Sequence, residues 1–113
     1  MKTETLKGLV ASKGKASGKV KFIGNWLDKD IRDTIKMGDI VISPMTAPSI
    51  VPYMNKIAAI VTYKGGRICH AAIVAREYNI PCIVGVGNSE LAKLPHATAV
   101  VDADVGEVRL EVL

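Results

Sequence analysis

A chain of 113 residues is one domain's worth, with room for a modest core and little beyond it. Hydrophobic residues make up 49% and charged residues 23%, as in an ordinary globular domain, and no apolar run approaches the roughly 18 residues of a membrane-crossing helix. The net charge of +4 is mild, and two cysteines, Cys69 and Cys82, exclude a disulfide framework.

Reduced thiols and the lack of a long apolar stretch before a cleavage-like site within Met1 to Ala11 make the cytoplasm the expected compartment. Lys2, Lys7, Lys13, Lys15, Lys19 and Lys21 crowd the first 21 residues against one acid, Glu4. This cluster is expected to be a solvated basic edge, with a polyanionic ligand or an acidic partner as the alternative. Phe22, Trp26, Tyr53, Tyr63 and Tyr78 are the only aromatics, so Val, Ile, Leu and Ala must fill the core.

In chain order, residues 6–11 and 17–23 read as strands flanking a turn at Lys13-Gly14-Lys15-Ala16. Residues 28–36 predict one or two helical turns that start at Asp28 or Asp30 and stop at Gly38. Residues 39–43 form a buried strand halted by Pro44. Thr46 or Ser49 then caps a short helix with Pro48 near its first turn. Residues 57–62 are continuously apolar, as in a strand covered on both faces. Lys64-Gly65-Gly66-Arg67 is a loop, and residues 70–78, rich in helix formers, make a helix ending at Asn79. A strand over 81–86, a short helix or turn over 89–94, and strands over 97–101 and 107–113 complete the chain. This is a mixed α/β domain of short strands. Its most polar connection lies between a buried strand and an Ala-rich helix, where ligands gather in such folds.

That connection carries the chemistry. Gly65 and Gly66 permit backbone angles and close approaches that other residues resist. His70 opens a helix, where unpaired N–H groups and the dipole favour an anion. Neutral imidazole is a competent nucleophile near physiological pH, and Arg67 is placed to clamp phosphate oxygens. By themselves these features also fit a plain turn, a structural histidine and a solvated arginine.

The run Gly65-Gly66-Arg67-Ile68-Cys69-His70-Ala71-Ala72-Ile73-Val74-Ala75-Arg76-Glu77-Tyr78-Asn79-Ile80-Pro81-Cys82-Ile83-Val84-Gly85 closely resembles the phosphohistidine segment of the phosphoenolpyruvate-utilising enzymes, above all their synthase branch. Gly38-Asp39-Ile40-Val41-Ile42-Ser43-Pro44-Met45-Thr46 resembles the family's preceding strand-and-Thr segment. Val101-Asp102-Ala103-Asp104-Val105-Gly106-Glu107-Val108 resembles its closing turn, and Gly14 and Gly18 fit its opening hairpin.

The resemblance implies a swivelling β/β/α phosphohistidine domain filling residues 1–113. His70 would be the carrier, with Gly65, Gly66, Arg67, Cys69 and Ala71 as phosphate-positioning residues. It implies an ATP-grasp partner that charges the histidine and a (β/α)8 barrel partner that passes the group to an acceptor such as pyruvate. Mg2+ and ATP would sit on those partners, and this chain is expected to bind no cofactor of its own. The family usually has Thr, Ser or Asn where this chain has Ile68, and in dikinases that Thr is a regulatory phosphorylation site.

Several alternatives stand beside this reading. Ile68 favours a swivelling-fold interaction or regulatory module that has lost phosphotransfer. A zinc site from Cys69, His70, Cys82 and His96 is disfavoured by the adjacency of Cys69 and His70 and the lack of Cys-x-x-Cys. The same adjacency disfavours Cys69 as a catalytic thiol, leaving it as a packing residue. Nucleic acid has only the lysine cluster behind it. Arg76 lies off the direct line of His70 along the helix, so an ion pair is as fitting as a role near phosphate. His96 reads as a surface histidine, and Asp102 and Asp104 as turn formers. With Met1 at one end and a strand closing at Leu113, the chain is expected to be a free-standing subunit of a split enzyme or a piece of a larger one.

Overall fold

A computed structural model describes residues 1–113. The strands are β1 (Lys2–Lys7), β2 (Leu9–Ser12), β3 (Lys15–Phe22), β4 (Asp39–Ser43), β5 (Ile57–Thr62), β6 (Cys82–Val84), β7 (Thr98–Asp102) and β8 (Glu107–Val112). The α-helices are α1 (Lys29–Arg32) and α2 (His70–Tyr78), with 3-10 turns at Pro48–Tyr53 and Leu91–Lys93. One eight-stranded sheet runs β1-β8-β7-β3-β4-β5-β6-β2. β3, β4, β5 and β6 are mutually parallel, and every other pairing is antiparallel.

Sequence order explains the layering. β4 is buried at every position and β5 nearly so, as their unbroken apolar runs require. Alternate residues then feed two cores. Val41, Ile60, Cys82 and Val84 point to a core shared with Trp26, Ile50, Met54 and the alanines of α2. Ile40, Ile42, Val61 and Ile83 point to a core closed by Leu6, Val101, Val108 and Leu110 from the antiparallel strands. The antiparallel β-layer, the parallel β-layer and the helical layer make the β/β/α architecture that the resemblance implies.

The N-terminal segment departs from expectation. Residues 6–11 are not one strand, because Gly8 divides them: β1 pairs with β8 and β2 with β6, at opposite edges of the sheet. A Cβ on Gly8 would lie 2.5 Å from the Val84 carbonyl oxygen, so only glycine lets the chain cross there. The Gly8 N–H donates to the Gly106 carbonyl at 3.0 Å, tying the crossing to the turn before β8. Nor do Gly14 and Gly18 belong to a hairpin, since β3 pairs with β4 and β7 and not with β2.

Asp28 caps α1 as expected, its carboxylate accepting from the N–H groups of Asp30 and Ile31. The expected cap of the next turn is absent: Ala47 occupies that position without a side-chain bond, and Thr46 and Ser49 are used elsewhere. No helix is long and apolar enough to cross a membrane.

Candidate functional site

β4 and β5 end side by side, and the segments leaving them meet the start of α2. The α2 helix spans the nine residues expected, with Ala71, Ala72, Val74 and Ala75 buried against the sheet. Small side chains let it pack close to β5 and β6. Asn79 closes it in the left-handed conformation, φ 56°, its N–H reaching back to the Ala75 and Arg76 carbonyls. Arg76 forms no ion pair. Its Nε donates to the Ala11 carbonyl at 2.8 Å and straps α2 to β2.

At the other end of α2, Cys69 holds the capping position without a side-chain bond. The first bond running along the helix is from the Ile73 N–H to the Cys69 carbonyl. The N–H groups of His70, Ala71 and Ala72 therefore have no partner within the helix, and they carry the positive end of its dipole. His70 is half-buried beside a cleft of about 130 Å3. Met45 and Thr46 line one side, Thr62, Lys64 and Gly65 another, and Cys69 and Ala71 the helix start. No carboxylate borders the cleft; its one charged residue is Lys64. Such a setting favours an anion.

The His70 ring is held from one side. Its Nδ1 lies 2.9 Å from Thr46 Oγ1. Thr46 is itself held in place, because the Trp26 indole N–H donates to the Met45 carbonyl at 2.7 Å and the Ser49 hydroxyl to the Trp26 carbonyl at 2.9 Å. With Nδ1 engaged, Nε2 is the ring nitrogen without a hydrogen-bond partner. Local sequence pattern does not reveal this pairing: the two residues are 24 positions apart, and Thr46 read as a helix cap.

The other expected site residues divide. Gly65, Cys69 and Ala71 border the cleft, whereas Gly66 and Arg67 do not. Gly65 has φ +114°, and a Cβ there would meet Cys69 Sγ at 2.9 Å, so glycine is required. Gly66 is not at positive φ, and a Cβ there would meet nothing within 4 Å. Arg67 is exposed and takes part in no ion pair. Ile68, two residues before the histidine, is 86% exposed. Cys82 lies under α2, where burial, with a smaller effect from Cys69, pushes its thiol up to about 12. His96 is remote from this site and lines a second cleft.

The family model described as PEP-utilising enzyme, mobile domain, matches residues 35–106. The chain is 44% identical over 105 residues to a probable phosphoenolpyruvate synthase of Methanothermobacter thermautotrophicus, covering 91% of this chain and 15% of that protein. It is 52% identical over 80 residues to phosphoenolpyruvate synthase of Pyrococcus furiosus, covering 71% of this chain and 9% of that protein. The chain thus spans a small fraction of these relatives. Among solved structures it is similar to a chain of the Thermococcus kodakaraensis aconitase X holo-form, with 25% identity, a TM-score of 0.65, and coverage of 96% of this chain and 99% of that one. It is also similar to the solution structure of Enzyme I (nEIt), with 27% identity, a TM-score of 0.57, and coverage of 71% and 33%.

Proposed function

Because the chain belongs to the phosphoenolpyruvate-utilising enzyme mobile-domain family, we propose that it is a phosphoryl carrier, with His70 Nε2 as the atom that takes and gives up the group. The observation that carries this reading is the contact between Thr46 Oγ1 and His70 Nδ1 at the start of α2. In the reactive tautomer Nδ1 bears the proton and donates it to Thr46 Oγ1, leaving the Nε2 lone pair free. That lone pair attacks the phosphorus of the donor as the donor's bond to phosphorus breaks, and the electron pair leaves with the donor. The Nδ1 proton stays in place throughout, and Thr46 as its acceptor holds the ring orientation. Onward transfer is the same displacement, with the imidazole as leaving group.

The surroundings support the product. The dianionic phosphoryl group gains from the free N–H groups at the helix start, from Lys64 and from the exposed Arg67. Gly65 keeps the loop low enough for a donor to approach. Residues 1–113 act as one mobile unit that visits its partners. Mg2+ and ATP belong to an ATP-grasp partner, and the acceptor, such as pyruvate, to a barrel partner. Both partners would be other domains or subunits, working in the cytoplasm, and the chain alone would not turn over substrate.

A second reading, a swivelling module without phosphotransfer, has two observations behind it. The fold nearly fills a chain of a protein named for a different activity, and Ile68, two residues before the histidine, is an exposed apolar side chain. One experiment separates them. The Methanothermobacter synthase, with the segment matching this chain removed, is mixed with this chain and labelled ATP or phosphoenolpyruvate. The carrier reading expects acid-labile, base-stable label on the chain that is lost in His70→Ala. Unlabelled chain, or label that persists in His70→Ala, supports the module.

A further inference from the structure

The largest concavity of the molecule is not the His70 cleft. A cleft of about 270 Å3 is bordered by Lys19, Lys21, Lys36, Asp39, His96 and Thr98. It lies at the opposite end of β4: Asp39 opens that strand here, and Ser43 closes it just before Met45 and Thr46 of the first cleft. Five residues of strand separate the two by about 13 Å.

Three separate pieces of chain meet at this cleft, and two of them carry its lysines. Lys19 and Lys21 alternate along β3 and so project from one face. Lys36 precedes β4, and the Lys19↔Thr98 pairing of β3 with β7 brings up residues 96–98. The fold's ion pairs employ Lys15, Lys29 and Lys93, so none of the three cleft ammonium groups has an acidic partner. The one acid present, Asp39, is 6% exposed, and its carboxylate accepts the backbone N–H of Lys36 at 2.9 Å. Three cations face one carboxylate that already serves to shape the loop.

We propose that this cleft is a binding site for a small polyanion bearing two or more phosphate groups. Convergent ammonium groups in a concavity raise the local potential and act as point charges for phosphate oxygens. The volume suits a compact ligand. A nucleic-acid strand would need a basic track with aromatic stacking surfaces, and no Phe, Tyr or Trp borders this cleft. The site stands independently of the role of His70.

The test is a titration of the 15N-labelled chain with tripolyphosphate, followed by amide shifts. A single saturable site is expected, with shifts at residues 19–21, 36–39 and 96–98. Lys19→Gln/Lys36→Gln should weaken binding by about ten-fold, as the loss of two charge-assisted contacts implies, while Lys2→Gln/Lys7→Gln leaves it unchanged. Non-saturating shifts spread over all the lysines would overturn the proposal. So would shifts confined to residues 65–72, or a Lys19→Gln/Lys36→Gln chain that binds as tightly as the unaltered one. The shift map of the unaltered chain decides the location even if the double variant folds poorly.

Discussion

The contact between Thr46 Oγ1 and His70 Nδ1 engages one ring nitrogen and leaves the other open. In the proposed carrier role the hydroxyl contributes nothing to the nucleophile's electrons; it accepts from the Nδ1 N–H and orients the ring. Thr46→Val keeps the shape and removes the acceptor, at a cost of about 1 kcal/mol or five-fold in the rate of phosphoryl uptake by His70. Rapid-quench labelling with the same donor measures it, and an unchanged rate would remove Thr46 from the mechanism. The two loop glycines separate equally sharply. Gly65→Ala forces a side chain into φ +114° and against Cys69 Sγ, and should lose about 1–3 kcal/mol in denaturant unfolding. Gly66→Ala meets open space at an ordinary φ and should leave the unfolding midpoint nearly unchanged.

At the scale of elements, α2 is what the sequence describes best. Its alanines, the helix formers Arg76 and Glu77, and Asn79 before Pro81 predict the bounds that the structure shows. Asn79 sits at φ 56°, so Asn79→Ala should cost about 1–2 kcal/mol, whereas Asn79→Gly should be tolerated; thermal melts compare the two. β4 and β5 were equally legible, because strands covered on both faces must be apolar throughout. Pairing was not legible. Residues 6–11 have one strand's pattern, yet they belong to both edges of the sheet, and only the close approach at Gly8 reveals why. The site was half legible for the same reason. His70 and Gly65 are neighbours in sequence, but Thr46 arrives through the side-by-side ends of β4 and β5, with Trp26 bracing it from yet another segment.

The molecule as a whole is a rigid sheet with unlike ends. One end holds the imidazole in a cleft without carboxylates, and the other gathers unpaired lysines. Both depend on the strands between them, and Cys82 reports on that core. Its thiol is raised from 9.0 to about 12 by burial, so folding favours the protonated form. The resulting stabilisation is intact below pH 9 and is lost as pH rises from 9 towards 12. The denaturation midpoint should fall through that window, and fall less steeply in Cys82→Ala. A thiol reagent at pH 8 should label Cys69 in the native chain and Cys82 only on unfolding.

The proposed carrier role turns on which nitrogen of the His70 ring takes the phosphoryl group. Phosphoramidate, a small donor that releases ammonia as it phosphorylates imidazole, removes the need for a protein partner. Two-bond 1H–15N spectra of the treated, 15N-labelled chain identify the modified atom. Phosphorylation is expected at Nε2 of His70, with Nδ1 still protonated. Modification at Nδ1, or a His70 ring untouched while His96 reacts, would contradict it.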